Sequence, residues 1–281
     1  MSSLTITTIQ TNLAWENKAA NLQVLERKMN ELDQKTEIIV LPEMFSTGFS
    51  MNPKILAEAM DGETIEWMKT IASKNKIILT GSLIIREDDQ YFNRLVWMLP
   101  NGQFGYYDKR HLFAYGEEDK HYTAGNKRLI ASVKGWKINL QVCYDLRFPV
   151  WARNRLLQTG QVADESHITA ETQAVGGIKP EYDILIYVAN WPERRSHAWK
   201  TLLCARAIEN QSYVIGVNRV GRDGNNINYS GNSLVIDPLG EVLYHMPDEE
   251  DIFTITLQKE DLQEVRSKFP FWKDADDFNF L

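Results

Sequence analysis

Three polar residues stand where apolar runs end, and their types suit nucleophilic chemistry. Cys143 closes the run KINLQV and is followed at once by Tyr144-Asp145-Leu146-Arg147-Phe148-Pro149, so the chain must turn sharply out of a strand. A thiol at such an elbow can open onto a cleft while its neighbours stay buried, and the turn aims backbone N–H groups outward as an oxyanion site requires. The alternative for Cys143 is a small apolar side chain in the core. Glu43 leaves the run EIIVLP, and a desolvated carboxylate there acquires the raised pKa of a general base or acid. Lys109, in YYDKRHLF, is a cation able to hold a developing oxyanion. Each of the last two, taken singly, also reads as a solvated strand-end charge. Cys204 is the contrast: it lies among Leu202, Leu203 and Ile208 in a helical stretch, where packing is expected.

Other chemistries lack their residues. The chain contains no G-x-G-x-x-G after a strand, no G-x-x-x-x-G-K-[ST], no H-E-x-x-H and no G-x-S-x-G. Five His without ligand-like spacing predict no metal site.

The elements that must position these residues alternate between strand and helix. Leu4 to Ile9 alternates as a strand, and Glu16 to Lys35 carries a helical period. Glu37 to Leu41 reads as a buried strand, Asp61 to Lys74 as a helix with Asp61 as N-cap, and Lys76 to Ile85 as a strand. Tyr91 to Leu99 and Gln103 to Lys109 flank Pro100-Asn101-Gly102 as a hairpin. Strands at Leu129 to Val133 and Lys137 to Val142 follow, then a helix from Val150, a strand at Asp183 to Ala189, a helix at Ser196 to Glu209 and a strand at Tyr213 to Val220. Strands at Ser233 to Asp237, Glu241 to Met246 and Ile252 to Leu257 finish the pattern. Two β/α halves with stacked sheets and outer helices are expected, forming one domain over residues 1–281. Residues 158–180 break the alternation and read as a surface insertion or a lid.

Composition narrows the partners. The 281 residues are 43% apolar and 25% charged, enough for a substantial core. A net charge of −7 argues against nucleic acid or anionic membrane as the partner. Two cysteines make no disulfide framework, and no secretory signal or spanning run is present, so a reducing, cytoplasmic location is expected.

LPEMF around Glu43, YYDKRHLF around Lys109 and QVCYDLRFP around Cys143, in that order, resemble the Glu, Lys and Cys motifs of the nitrilase superfamily of carbon–nitrogen hydrolases. YVANWP, WKTLLCARAIENQSYVIGVNRVG, YSGNS and VIDPLG extend the likeness over nearly the whole chain outside 158–180. CYDLRFP followed by ANWP resembles the omega-amidase branch, whose members hydrolyse the terminal amide of short 2-oxo acid amides; Tyr144-Asp145 stands where nitrilases carry Trp-Glu. The resemblance implies an α-β-β-α sandwich, a homodimer and a cofactor-free reaction. Glu43 would be the base, Cys143 the nucleophile, and Lys109 with the Tyr144 N–H the oxyanion holder. A second Glu that orients Lys and substrate is matched by Glu118, with Glu117 adjacent.

For the substrate's far carboxylate a guanidinium is the suitable group. Arg147 is a candidate, and Arg194 and Arg195 lie near the same motifs. Phe45, Tyr144 and Trp191 could wall the pocket, or pack in the core. The rival readings are another carbon–nitrogen hydrolase (an aliphatic amidase, nitrilase or N-carbamoyl hydrolase) and a catalytically silent scaffold.

Overall fold

A computed structural model describes residues 2–158, 178–276 and 278. The N-terminal half supplies β1 (Ser3–Gln10), α1 (Lys18–Asn30), β2 (Ile38–Val40), α2 (Pro53–Leu56), α3 (Glu63–Asn75), β3 (Ile78–Glu87), β4 (Gln90–Met98), β5 (Phe104–Asp108) and α4 (Glu118–His121). Then come β6 (Leu129–Val133), β7 (Trp136–Val142), α5 (Pro149–Ala152), β8 (Leu156–Gln158), β9 (Ile178–Pro180), β10 (Ile184–Val188) and α6 (Ser196–Asn210). The chain closes with β11 (Tyr213–Val217), β12 (Val220–Arg222), β13 (Asn228–Ile236), β14 (Val242–Pro247), β15 (Asp251–Gln258) and α7 (Lys259–Lys268).

One sheet runs β15-β1-β2-β3-β4-β5 and the other β12-β13-β11-β10-β7-β6, with β14 paired to β13. Both are mixed: β1, β2 and β3 are parallel neighbours, as are β7, β10 and β11, while the outer pairs are antiparallel. Their side-chain period of two divides the core. On β2, Ile38 and Val40 join Leu4, Ile6, Leu95 and Trp97 in the cluster shared with Ile138, Leu140, Val142, Ile184 and Ile186 of the second sheet. Ile39 faces the other way, into Leu22, Leu25, Ile65, Met68 and Ile71 of α1 and α3. Helix α6 covers the second sheet; Gly216 of β11 lies so close under Leu203 and Trp199 that a Cβ there would come within 2.5 Å of the Leu203 side chain. The result is the expected α-β-β-α layering, and β15 returns the end of the chain to β1.

Several expected boundaries move. The first helix is shorter than Glu16 to Lys35, and the helix after Val150 is a single turn, Pro149–Ala152. Asp61 is not the N-cap of α3. Gly62 holds that position, and the Glu58 carboxylate reaches in from upstream to accept the Thr64 and Ile65 N–H groups at 2.9 and 3.3 Å. The strand expected to run to Val220 stops at Val217, where Asn218 turns the chain. Of the 158–180 excursion only the ends are described: β8 and β9 form a two-stranded antiparallel ladder, and residues 159–177 lie outside the described residues.

Candidate active site

Strands β2, β5 and β7 end near one another at the same rim of the sandwich, and the chain leaves two of them through strained backbone. Met44, next to Glu43, and Cys143 itself have φ of +44° and +45°, in the left-handed region that L-residues rarely adopt. At the second elbow a 3-10 turn, Cys143–Arg147, begins directly on the nucleophile candidate. Asp145 holds it. Its fully buried carboxylate accepts the Val142 N–H at 3.0 Å, the His111 N–H at 2.9 Å and the Tyr107 hydroxyl at 2.7 Å, and it lies 2.8 Å from His111 Nδ1. Trp151 donates its indole N–H to the same Tyr107 oxygen. The segment carrying Lys109 and the segment carrying Cys143 are thus tied together through one carboxylate.

Glu43, Lys109 and Glu118 meet without contact with solvent. Lys109 Nζ donates to Glu43 Oε1 at 2.9 Å and to Glu118 Oε1 and Oε2 at 3.0 and 2.8 Å. Glu118 Oε2 also accepts the Phe113 N–H at 2.6 Å. Glu117 points elsewhere, pairing with Lys120 at the surface. Burial opposes the Lys109 charge, yet the Glu118 and Glu43 carboxylates outweigh it and raise the ammonium pKa above its ordinary value. Burial raises Glu118, with Lys109 opposing. The Cys143 thiol is close enough to Glu43 and Lys109 to feel both charges. Burial first, then the Glu43 charge, push its pKa well up despite nearby Lys109, so the resting sulfur is a thiol.

Cys143 lines a cavity of about 230 Å³ with Phe49, Phe113, Tyr144, Trp191 and Tyr229 among its walls. Tyr144 packs edge-on against Phe113 and Phe148, with ring centroids 5.0 and 5.2 Å apart. Arg147, Arg194 and Arg195 all face this cavity. The Arg147 guanidinium sits over the Trp191 ring at 5.1 Å and that of Arg195 over Phe113 at 5.0 Å. Among the described residues none of the three has a carboxylate partner. Burial, together with the like charges of Arg194 and Arg147, lowers the Arg195 pKa. The one acid at the wall among the described residues, Asp223, is committed to the Asn225 and Ile227 N–H groups and the Tyr229 hydroxyl.

Phe45 is not a wall of this cavity. It lies fully buried in the core between the first sheet and its helices, 5.9 Å from the Trp67 ring and against Gly81, where a Cβ would come within 2.8 Å of it. Phe49, four residues on, takes the place expected for it, because the chain turns at Met44 and reverses the side that faces the cavity. Asn93, Asn190 and Asp145 escaped the sequence reading as site residues. The Asn190 N–H donates to Glu43 Oε2 at 2.7 Å and its side chain to the Glu43 carbonyl. Their signal was a polar residue inside an apolar strand, YFNRLVWM, or directly after one, YVANWP.

A family model described as carbon–nitrogen hydrolase matches residues 5–267. Omega-amidase YafV of Escherichia coli (strain K12) is 40% identical over 282 residues, covering 99% of each chain. The 2-oxoglutaramate amidase of Bacillus subtilis (strain 168) is 30% identical, covering 96% of each. The crystal structure of XC1258 from Xanthomonas campestris, a CN-hydrolase superfamily protein with an arsenic adduct in its active site, superposes with a TM-score of 0.90 at 42% identity over all of both chains. The chain belongs to the carbon–nitrogen hydrolase family, in its omega-amidase-like branch.

Proposed function

We propose that this amide-hydrolysing enzyme releases ammonia from the terminal amide of small 2-oxo acid omega-amides, such as 2-oxoglutaramate and 2-oxosuccinamate, through a thioester on Cys143. The observation that carries the reading is one cavity lined by a thiol and by three guanidiniums that have no acid partner among the described residues, with the Glu43 carboxylate and the Lys109 ammonium buried behind the thiol. Cations without an acid partner among the described residues favour an anionic substrate, and a volume below about 300 Å³ limits it to a small molecule. The names of the Escherichia coli and Bacillus subtilis relatives support the same class.

Because the resting sulfur is protonated, attack is coupled to proton transfer. Glu43 takes the thiol proton as sulfur adds to the amide carbon. The oxyanion forms against Lys109 and the Tyr144 N–H, which lies in the first turn of the 3-10 segment, where backbone N–H groups have no partner earlier in it. Glu43 then gives the proton to the leaving nitrogen, ammonia departs and a thioester remains. In the second half Glu43 takes a proton from water as its oxygen adds to the thioester, and returns that proton to the expelled thiolate. Glu118 acts by holding Lys109. We also propose that the enzyme works as a homodimer in a reducing, cytoplasmic setting, which suits its two free cysteines.

The test is ammonia release from 2-oxoglutaramate by the wild-type chain and by Cys143→Ala. Turnover that falls at least about a thousandfold in a folded Cys143→Ala supports the mechanism. Near wild-type turnover in that variant sinks it.

A further inference from the structure

Asn93 sits in the middle of β4, fully buried, in a strand otherwise suited to packing. Its backbone carbonyl accepts the Lys109 N–H at 3.0 Å. Its side-chain Nδ2 donates to Glu43 Oε1 at 2.8 Å and to Glu118 Oε1 at 3.1 Å, while its Oδ1 has no partner among the described residues. An asparagine kept only for stability would not leave a buried acceptor unpaired, since that carries a desolvation penalty. What this orientation does achieve is two donors aimed at two carboxylates.

The consequence falls on Glu43. Its Oε1 receives both Asn93 and Lys109, the latter at 2.9 Å, which fills the two lone-pair directions of one carboxylate oxygen. Among the described residues its Oε2 receives the Asn190 N–H alone, at 2.7 Å, and keeps one direction open. We propose that Asn93 is a positioning residue that divides the labour of Glu43: it saturates Oε1 and leaves Oε2 as the oxygen that exchanges protons with the Cys143 thiol. This rests on the reading of Glu43 as the base for Cys143, not on the identity of the amide.

The groups facing Glu43 are Lys109 after β5, Glu118 of α4, Tyr122 after α4, Cys143 after β7 and Tyr229 of β13. Both tyrosines are held neutral, chiefly by burial, so neither adds a charge beside the carboxylates. The Asn93 donor is a hydrogen bond to the ionised form of each carboxylate it reaches, and removing it weakens that form.

The experiment is the pH profile of Cys143 alkylation by iodoacetamide in the full chain, followed by intact mass, with Cys143→Ala supplying the Cys204 background. Asn93→Ala is expected to move the acid limb up by about one pH unit and slow the plateau roughly tenfold. Asn93→Ser, which keeps one donor, should recover part of both changes. An unmoved limb overturns the proposal, and so does failure of both variants to fold, which would make Asn93 a support of the sandwich. No ammonia release alongside a shifted limb refutes the amide substrate and leaves the positioning role standing. Ammonia release alongside an unshifted limb refutes the positioning role alone.

Discussion

Two carboxylates share one ammonium at the centre of the cluster, so each side chain there is set by the others. Glu43→Gln retains the shape but removes the proton acceptor and turns an amide nitrogen toward a buried donor; ammonia release should fall about 10²- to 10⁴-fold with a lowered thermal midpoint, read by steady-state assay and calorimetry. Lys109→Ala is different in kind. It leaves Glu43 and Glu118 buried without a cation, and we expect about 3–5 kcal/mol of lost stability in denaturant titration besides the loss of activity. The pH dependence follows from the directions of the shifts. Lys109 is raised above its ordinary value, so its favourable charge is present throughout the neutral and mildly alkaline range and is lost only as pH rises through that higher folded pKa. The Cys143 thiol is raised too and stays protonated over the same range. kcat/KM on the amide should therefore stay flat from neutral pH to about pH 9, and an alkaline limb below that would place the proton differently. If the cavity-lining Arg195 receives the far carboxylate, as the proposed substrate requires, Arg195→Ala should raise KM about 10- to 100-fold with kcat largely kept.

Among elements, the two strained strand ends decide whether these groups meet. Asp145 stabilises the Cys143 elbow by accepting from Val142, His111 and Tyr107, and Asp145→Ala would orphan three donors on the two segments it ties together. A loss of about 2–4 kcal/mol in chemical denaturation is expected, with ammonia release reduced even where the variant is fully folded. Glu43, Lys109 and Cys143 were legible together because LPEMF, YYDKRHLF and QVCYDLRFP stand in the order of a family's motifs, since singly each also reads as a strand-end charge or a core thiol; the structure brings the three side chains into one cluster. Phe45 was misplaced because its apolar type is equally suited to cavity and core; the left-handed turn at Met44, which no local pattern announces, chooses between them. Glu58 illustrates the same limit. Asp61 has the right type and spacing for an N-cap, but a carboxylate from upstream takes the α3 N–H groups instead.

On the scale of the whole molecule, the β/α alternation was enough to foresee two stacked sheets with outer helices, since each strand's period of two needs a partner on both faces. The pairing of β15 with β1 was not legible, because it joins residues about the full chain length apart. Asn93 and Asn190 stayed hidden for the same reason: their importance lies in the Glu43 carboxylate, 50 and 147 residues away. The proposed homodimer is checked by sedimentation equilibrium, where a species of twice 32.4 kDa is expected and a monomer at micromolar concentration would contradict it. The measurement that tests the account most directly is kcat/KM for ammonia release on 2-oxoglutaramate, 2-oxosuccinamate, glutamine, a simple aliphatic nitrile and an N-carbamoyl amino acid. The 2-oxo amides should exceed the other three by at least about tenfold, since only they combine a terminal amide with an anionic far end and no ammonium to be repelled by Arg147, Arg194 and Arg195. A higher value on glutamine, the nitrile or the carbamoyl compound would contradict the assignment.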